Sequence, residues 1–419
     1  MRIERLRLTD FRNYHELDLT LPAGLVVFAG HNAQGKSNLL EAVTLISTSR
    51  SFRTTSEREA VRWSAPGRFA RVEATIARHE GLLQIEVILT DSEAEGTTQG
   101  RPAGATPTAP HLPPAPTLRV GKRIRVNGVP RRAMDLLGQA PVVVFAPTDL
   151  DLVIGSPTER RRFLDLTLCQ VDTAYCRKLS QYQKVLTQRS ALLKRIREGA
   201  DTPQALGYWD DLLVRLAAPI MLARANFIER AELAAARVYA TLTPAEADQS
   251  DDQEAAPESL ESNELRLVYR PSYDGSLEGD EHSVAEGMRA RLQSLRTREL
   301  AQGVNVLGPH RDDLAFLADG VDLAVYGSRG QQRTVALALK LAELEYIETE
   351  VGDQPILLLD DVLSELDAQH RADLLLAVSG LDQVLLTTTD TASLPTEALT
   401  YAHVYRVRGG QVTADSLHK

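Results

Sequence analysis

The chain has 419 residues, 43% hydrophobic and 25% charged, a balance that fits a folded protein with room for two domains rather than one core. Its formal net charge of −10 excludes a global attraction to nucleic acid, so any DNA contact must come from a local basic patch. No apolar run approaches a membrane span, and Cys169 and Cys176 stand about two helical turns apart, too far for a disulfide, so a soluble cytoplasmic protein with reduced thiols is expected.

Ile3, Leu6 and Leu8, then Leu17, Leu19 and Leu21, alternate as strands do, and a Pro22-Ala23-Gly24 turn leads into a buried strand over residues 25–28. Beyond it come Gly30-His31-Asn32-Ala33-Gln34-Gly35-Lys36-Ser37 and a helix over residues 38–46. Strand signals return at residues 69–77, 82–90, 118–126 and 142–145, with turns at His79-Glu80-Gly81 and Asn127-Gly128. Residues 91–117, rich in Pro, Gly, Ala and Thr, are expected to be a mobile insertion. Tyr175, Leu179, Tyr182, Leu186, Leu193 and Ile196 then recur at helical spacing, interrupted by Arg189. The same spacing at Trp209, Leu213, Leu216, Ile220, Ala223 and Phe227 predicts a second helix folded back on the first and kinked at Pro219, a short arm of roughly 40 Å. Residues 244–262 read as a solvated acidic loop. A strand over 265–270, a helix over 283–301, a hairpin at Ala318-Asp319-Gly320, a helix over 331–350 and a strand over 356–359 follow. The pattern predicts an α/β fold with a mainly helical lobe inserted: residues 1–150 and 301–419 form one lobe, and 151–300 the helical arm.

Gly30 to Ser37 follows a buried strand and opens a helix, the context in which this pattern wraps phosphates with backbone N–H groups. Lys36 is placed to reach the β- and γ-phosphates of ATP, and the Ser37 hydroxyl to ligate Mg2+. The apolar strand ending in Asp360-Asp361 supplies a second element, with Asp360 a magnesium ligand and Asp361 the group that orients or deprotonates the attacking water. Two Asp at a strand end are ordinarily turn formers, and the phosphate loop is what turns the reading towards catalysis. Third, Ser328, Gly330 and Gln331 open the long helix that runs into the acidic strand, and so offer another anion site, although an N-cap and a loop glycine account for any one of them alone.

That order is the order of the ABC ATPases, whose signature motif closes on the ATP of a partner subunit. The LTDFRNY run at residues 8–14, FAPTDL at 145–150, GSP at 155–157, RRRFLD at 160–165, GPHRDD at 308–313 and LLLDDVLSELD at 357–367 resemble the RecF family of bacterial DNA replication and repair proteins. The resemblance implies an ABC-type head similar to those of chromosome-maintenance ATPases, ATP and Mg2+ as cofactors, and a homodimer with ATP between Ser37-type and Ser328-type sites. It also implies weak, DNA-stimulated hydrolysis and action with RecR, RecO and RecA at gapped or junction DNA, in a cytoplasmic, nucleoid-associated protein. Two departures stand out. Ala146-Pro147 replaces the glutamine of transporters, and Thr387-Thr388-Thr389-Asp390 replaces a late switch histidine, which suits a slow switch.

For DNA the sequence offers Arg160, Arg161, Arg162, Lys178, Lys184, Lys194 and Arg195, with Arg119, Lys122, Arg123, Arg125, Arg131, Arg132 and Arg197 as further cations. Contacts of this kind bind phosphate without base specificity and weaken with salt. Alternative readings are an ABC subunit driving another component and a nuclease head of the same fold.

Overall fold

In strand β1 (Arg2–Phe11) Ile3, Leu6 and Leu8 turn inward while Arg2, Arg5 and Arg7 face water, the alternation of a sheet with one solvated face, shifted by one residue at an irregularity between Ile3 and Arg5. The structure, a computed structural model, describes residues 1–54, 56–92, 119–243 and 264–415. Backbone contacts group Met1–Leu136, Leu358–Ser364 and Val378–Lys419 into one unit and Leu137–Leu357 with Glu365–Ala377 into a second. The predicted insertion over 91–117 falls outside the described residues from 93 onward, and the acidic loop over 244–262 falls outside them entirely.

In the first unit β1 pairs antiparallel with β2 (Tyr14–Thr20), from Arg5↔Thr20 to Phe11↔Tyr14. After β3 (Gly24–Ala29) and helix α1 (Lys36–Thr48) come β4 (Phe69–Arg78), β5 (Gly81–Ser92), β6 (Arg119–Val126), β7 (Val129–Arg131) and the short α2 (Ala133–Leu136). The resulting sheet has the order β2-β1-β4-β5-β6-β7. Helix α1 buries Leu39, Leu40, Val43, Leu45 and Ile46, residues that point in several directions from its axis. It can do so because it packs on β4 and β5 and also on a strand from the end of the chain.

The second unit holds β8 (Val142–Phe145), α3 (Leu150–Ile154), α4 (Pro157–Val171), α5 (Thr173–Arg197) and α6 (Gly207–Leu242). Then come β9 (Leu265–Arg270), α7 (Glu281–Ser294), α8 (Arg296–Gln302), β10 (Asp313–Ala318), β11 (Val321–Asp322), α9 (Leu323–Tyr326) and α10 (Arg329–Val351). The arm helices pack as expected, with α5 on α6 and a small core of Leu192, Leu193 and Leu206 at their turn. The assigned helix α6 runs on through Pro219 for 36 residues. Arg189, the interruption in the sequence seam, has no solvent exposure. It donates to Asp210 Oδ1 at 2.9 Å and to Glu299 Oε1 at 2.8 Å, so a buried charge is matched by buried partners. Cys169 and Cys176 are buried thiols on successive helices, α4 and α5.

The boundary of the units differs from the one read from sequence, because residues 137–150 and 301–357 group with the helical region. The cause is tertiary: β10 pairs along its length with β9, and α10 packs against α6. Strand β12 (Ile356–Asp360) begins in this second unit, and its last three residues belong to the first. After α11 (Ala368–Ala377) the chain adds β13 (Gln383–Thr388), α12 (Thr396–Tyr401), β14 (His403–Arg408) and β15 (Gln411–Ala414).

These strands complete the first unit's second sheet, in which β14, β3, β13 and β12 lie side by side and β3 pairs parallel with both β13 and β14. Strand β3 is apolar throughout because parallel strands are covered on both faces. A buried glutamine fastens the two ends of the unit: Gln383 Oε1 accepts from Ile3 N at 2.8 Å, and its Nε2 donates to Ile3 O and Pro22 O.

Candidate nucleotide site

The loop between β3 and α1 bends through two left-handed residues, Ala33 at φ 62° and Gly35 at φ 115°. Two glycines are demanded by space as well. A Cβ on Gly30 would sit 2.3 Å from Val407 O, and one on Gly35 would sit 2.6 Å from Asn13 Nδ2. Gly35 caps α1 without a side-chain acceptor, so the first N–H groups of the helix remain available to an anion. His31, Asn32 and Ala33 are exposed, and Gln34 and Ser37 are half-buried. The Lys36 ammonium folds back across the loop, donating to Gly30 O at 2.6 Å and His31 O at 3.0 Å. Burial lowers its pKa from the ordinary lysine value, while the nearby Asp361 and Asp360 carboxylates pull it the other way. All three predicted charges therefore lie within electrostatic reach of one another in this unit.

The acid pair is held by a residue to which sequence reasoning gave no such role. Thr387, near the end of β13, donates its hydroxyl to Asp360 Oδ1 at 2.8 Å and accepts from Asp361 N at 2.9 Å. Asp360 is buried, and Asp361 turns the chain at φ 55°, a left-handed angle that Asp tolerates better than most residues. The Thr-Thr-Thr run, read from sequence only as a missing histidine, thus fixes both carboxylate-bearing residues. Its available signal was that the next apolar strand after the acidic one ends in hydroxyls, which one sequence does not convert into a contact.

In the second unit Ser328 caps α10. Its Oγ accepts from Gln331 N at 3.2 Å, and Gln331 Oε1 accepts from Ser328 N at 2.8 Å, a reciprocal capping box. Ser328, Arg329, Gly330 and Gln331 are exposed, as is Tyr326 at 76%. A Cβ on Gly330 would meet only Ser328 Oγ at 3.8 Å, so nothing among the described residues requires a glycine there. Where transporters carry glutamine, Ala146 N donates to Asp149 Oδ2 at 2.8 Å, and burial pushes the Asp149 carboxyl up to about 6 against the opposing Lys340 ammonium. Lys340 donates to Glu343, which accepts from Thr167 Oγ1 at 2.7 Å, so the loop after β8 and helix α10 share one buried charge cluster.

In the GPHRDD run Gly308, Pro309 and Asp312 are buried, His310 and Asp313 half-buried, and Arg311 exposed. Tyr182 OH lies 2.6 Å from His310 Nδ1, Arg224 donates to Pro309 O at 2.7 Å, and Asp312 accepts from Ser272 N at 2.7 Å. Burial brings His310 down to about 4, with Arg311, Arg161 and Arg189 repelling its proton further.

The DNA candidates divide. Arg160 is corrected to a structural residue: it is 7% exposed, donates to both oxygens of Asp313 at 2.6 and 3.0 Å, and reaches Gly155 O at 2.9 Å. Arg161 is half-buried and donates to Asp312 O at 2.8 Å. Lys178 pairs with Glu281 and Arg195 with Asp201. Arg162, Lys184 and Lys194 are exposed.

The sequence pattern of the AAA domain family matches residues 5–128, the stretch that carries the phosphate loop. The DNA replication and repair protein RecF of Chloroflexus aurantiacus is 40% identical, covering 99% of this chain and all of the relative. That of Halalkalibacterium halodurans is 36% identical over 98% and 99% of the two chains. Among solved structures, the recombination mediator protein RecF with ATP, of the RecFOR pathway, superposes with a TM-score of 0.80 at 29% identity, covering 99% of this chain and 97% of that one. An Smc head bound to the C-winged helix domain of ScpA, 14% identical with a TM-score of 0.51 over 100% and 98% of the chains, shares the fold alone. The α/β ATPase-head fold and the family expected from the motifs are thereby established, and the chain belongs to the RecF family of DNA replication and repair proteins.

Proposed function

We propose that the chain is an ATP-dependent DNA-binding protein of recombinational repair and replication restart, in which ATP closes a homodimer on DNA and slow hydrolysis resets it. The observation that carries the reading is the cluster of Lys36, Asp360 and Asp361 beside an uncapped helix start, with Thr387 fixing the acids. Gly30 to Ser37 would bind the phosphates, and Ser37 and Asp360, a hydroxyl and a buried carboxylate, are the hard oxygen donors that suit Mg2+. That ion supplies neutralisation of phosphate charge when bound. Lys36 stabilises charge on the phosphoryl oxygens, and Asp361 orients or deprotonates the attacking water. The exposed Ser328, Gly330 and Gln331, with a glycine that its own chain does not need, support a signature surface that meets the nucleotide of a second copy.

Duplex DNA with gaps or junctions is the proposed nucleic acid, held through phosphates by Arg162, Lys184 and Lys194 first and by Arg161, Lys178 and Arg195 where their present pairs exchange. RecR, with RecO and RecA in the same pathway, are the proposed protein partners. Turnover is weak and DNA-stimulated in this reading, and the place of action is the cytoplasmic nucleoid. A motor subunit or a nuclease head is the less supported reading, since the relatives carry repair names. The test measures mass and DNA affinity with ATP, ADP and no nucleotide for the natural protein, Lys36→Met and Ser328→Arg. Lys36→Met is expected to weaken nucleotide binding, and Ser328→Arg to leave it largely intact but block dimer closure. Equal dimerisation and affinity under all conditions would sink the reading.

A further inference from the structure

The phosphate loop is braced from outside by residues that belong to no nucleotide-binding pattern. Asn13, in the turn between β1 and β2, donates its Nδ2 to Gln34 O at 2.8 Å, and its Oδ1 accepts from Asn38 Nδ2 at 2.8 Å. Gly409 and Gly410, the two-residue turn between β14 and β15, add their backbone donors: Gly410 N to Gln34 O at 3.1 Å, and Gly409 N to Gln34 Oε1 at 2.8 Å. Tyr14 OH donates to Gly35 O at 3.0 Å. Both turn glycines have positive φ, 56° and 78°, as a two-residue hairpin with Arg408 opposite Gln411 requires.

The chemical consequence follows from the planar trans peptide, in which C=O and N–H point to opposite sides. Two donors pin the Gln34 carbonyl towards Asn13 and Gly410, so the N–H of Gly35 is fixed on the other side. The Tyr14 hydroxyl and the Asn38 and Leu39 N–H groups likewise occupy the Gly35 carbonyl, which fixes the N–H of Lys36. We propose that Asn13 and the Gly409-Gly410 turn are positioning residues for the nucleotide phosphates, holding the Gly35 and Lys36 N–H groups in their binding orientation. Without the brace these peptides can rotate, and binding must then supply the ordering that the fold now supplies in advance. The inference rests on the nucleotide reading of this loop and adds the segments, nearly the full chain apart, that hold it ready.

The experiment uses the full chain and compares ATP affinity by calorimetric titration with thermal stability measured without nucleotide. Asn13 is exposed, so Asn13→Asp tests the brace with little risk to folding: it keeps an acceptor for Asn38 but faces the Gln34 carbonyl with an acceptor and a charge. Gly410→Ala is the second variant, since its Cβ would lie 2.6 Å from Asn13 O at a positive φ. Each is expected to weaken ATP binding by about tenfold or more, the scale of one charge-facing hydrogen bond lost. Asn13→Asp should do so with a nucleotide-free melting temperature close to that of the natural protein, while Asn13→Ser, which keeps a donor, recovers part of the affinity. Unchanged affinity in both variants, or affinity lost only in step with nucleotide-free stability, overturns the proposal. A natural protein that fails to bind ATP overturns the nucleotide reading itself.

Discussion

The loop at Gly30 to Ser37 and the segment at Tyr326 to Gln331 are both helix starts, yet they are finished to different degrees. Around the first, the bends are crowded: Val407 backbone lies against Gly30, and the Asn13 and Tyr14 side chains lie against Gly35. Around the second, the cap is satisfied by its own Gln331, the flanking Tyr326 is exposed, and a Cβ on Gly330 would meet only Ser328 Oγ, at ordinary contact distance. A glycine required by its own fold says little about a partner. One that the fold does not require, placed where it weakens a helix, points outside the chain.

The largest effect expected from breaking this contrast is chemical. Asp361→Asn should lower ATP hydrolysis by about 10²–10⁴-fold while ATP-driven dimerisation persists, because only the water-orienting charge is lost. A steady-state phosphate release assay beside a mass measurement separates the two, and equal loss of both would remove Asp361 from that role.

Acid should separate the regions next. His310 in the second unit has its pKa depressed in the fold to about 4, so from pH 6.5 downward the unfolded chain takes a proton that the folded chain refuses. Stability falls through that window by up to about 3 kcal/mol, and Asp149, raised to about 6, acts in the opposite sense as pH falls from 6 towards 4. A shallower pH dependence of unfolding in His310→Gln than in the natural protein is the expected result, and identical slopes would refute it.

Thr387→Val should be smaller again. It leaves Asp360 Oδ1 and Asp361 N without their hydroxyl, a loss of about 1–3 kcal/mol in unfolding free energy, read from a denaturant curve, with reduced hydrolysis. Unchanged hydrolysis with reduced stability would confine Thr387 to the fold.

Gly330→Ala is the smallest in stability and the sharpest in logic. With no atom to strike, the methyl should stabilise α10 by up to about 1 kcal/mol yet obstruct dimer closure, so the melting temperature rises as the ATP-dependent dimer disappears. A variant that dimerises normally would return Gly330 to an ordinary first-turn residue of α10.

What was legible in the sequence was local. The loop, its helix, the acidic strand and the Ser328 cap each carry their signal within ten residues. What escaped depends on partners far along the chain: Arg160 looked like one more surface cation beside Arg161 and Arg162 until Asp313 was found against it. Arg189 looked like a fault in a helical seam, whereas Glu299 and Asp210 make it the centre of a buried ion cluster. The unit boundary moved for the same reason, since β9 and β10 find each other only in three dimensions.

The bond between Gln34 and Gly409 spans 375 residues, and this sets an order of events in synthesis. The loop leaves the ribosome early, but the turn that holds it, and the strand β13 that lies beside β3, are translated near the end. At about 5–20 residues per second, the nascent chain carries an unbraced loop for roughly twenty seconds to over a minute. Truncated products lacking the last hairpin therefore contain the whole Gly30 to Ser37 sequence without the two hydrogen bonds that the Gly409-Gly410 turn gives Gln34.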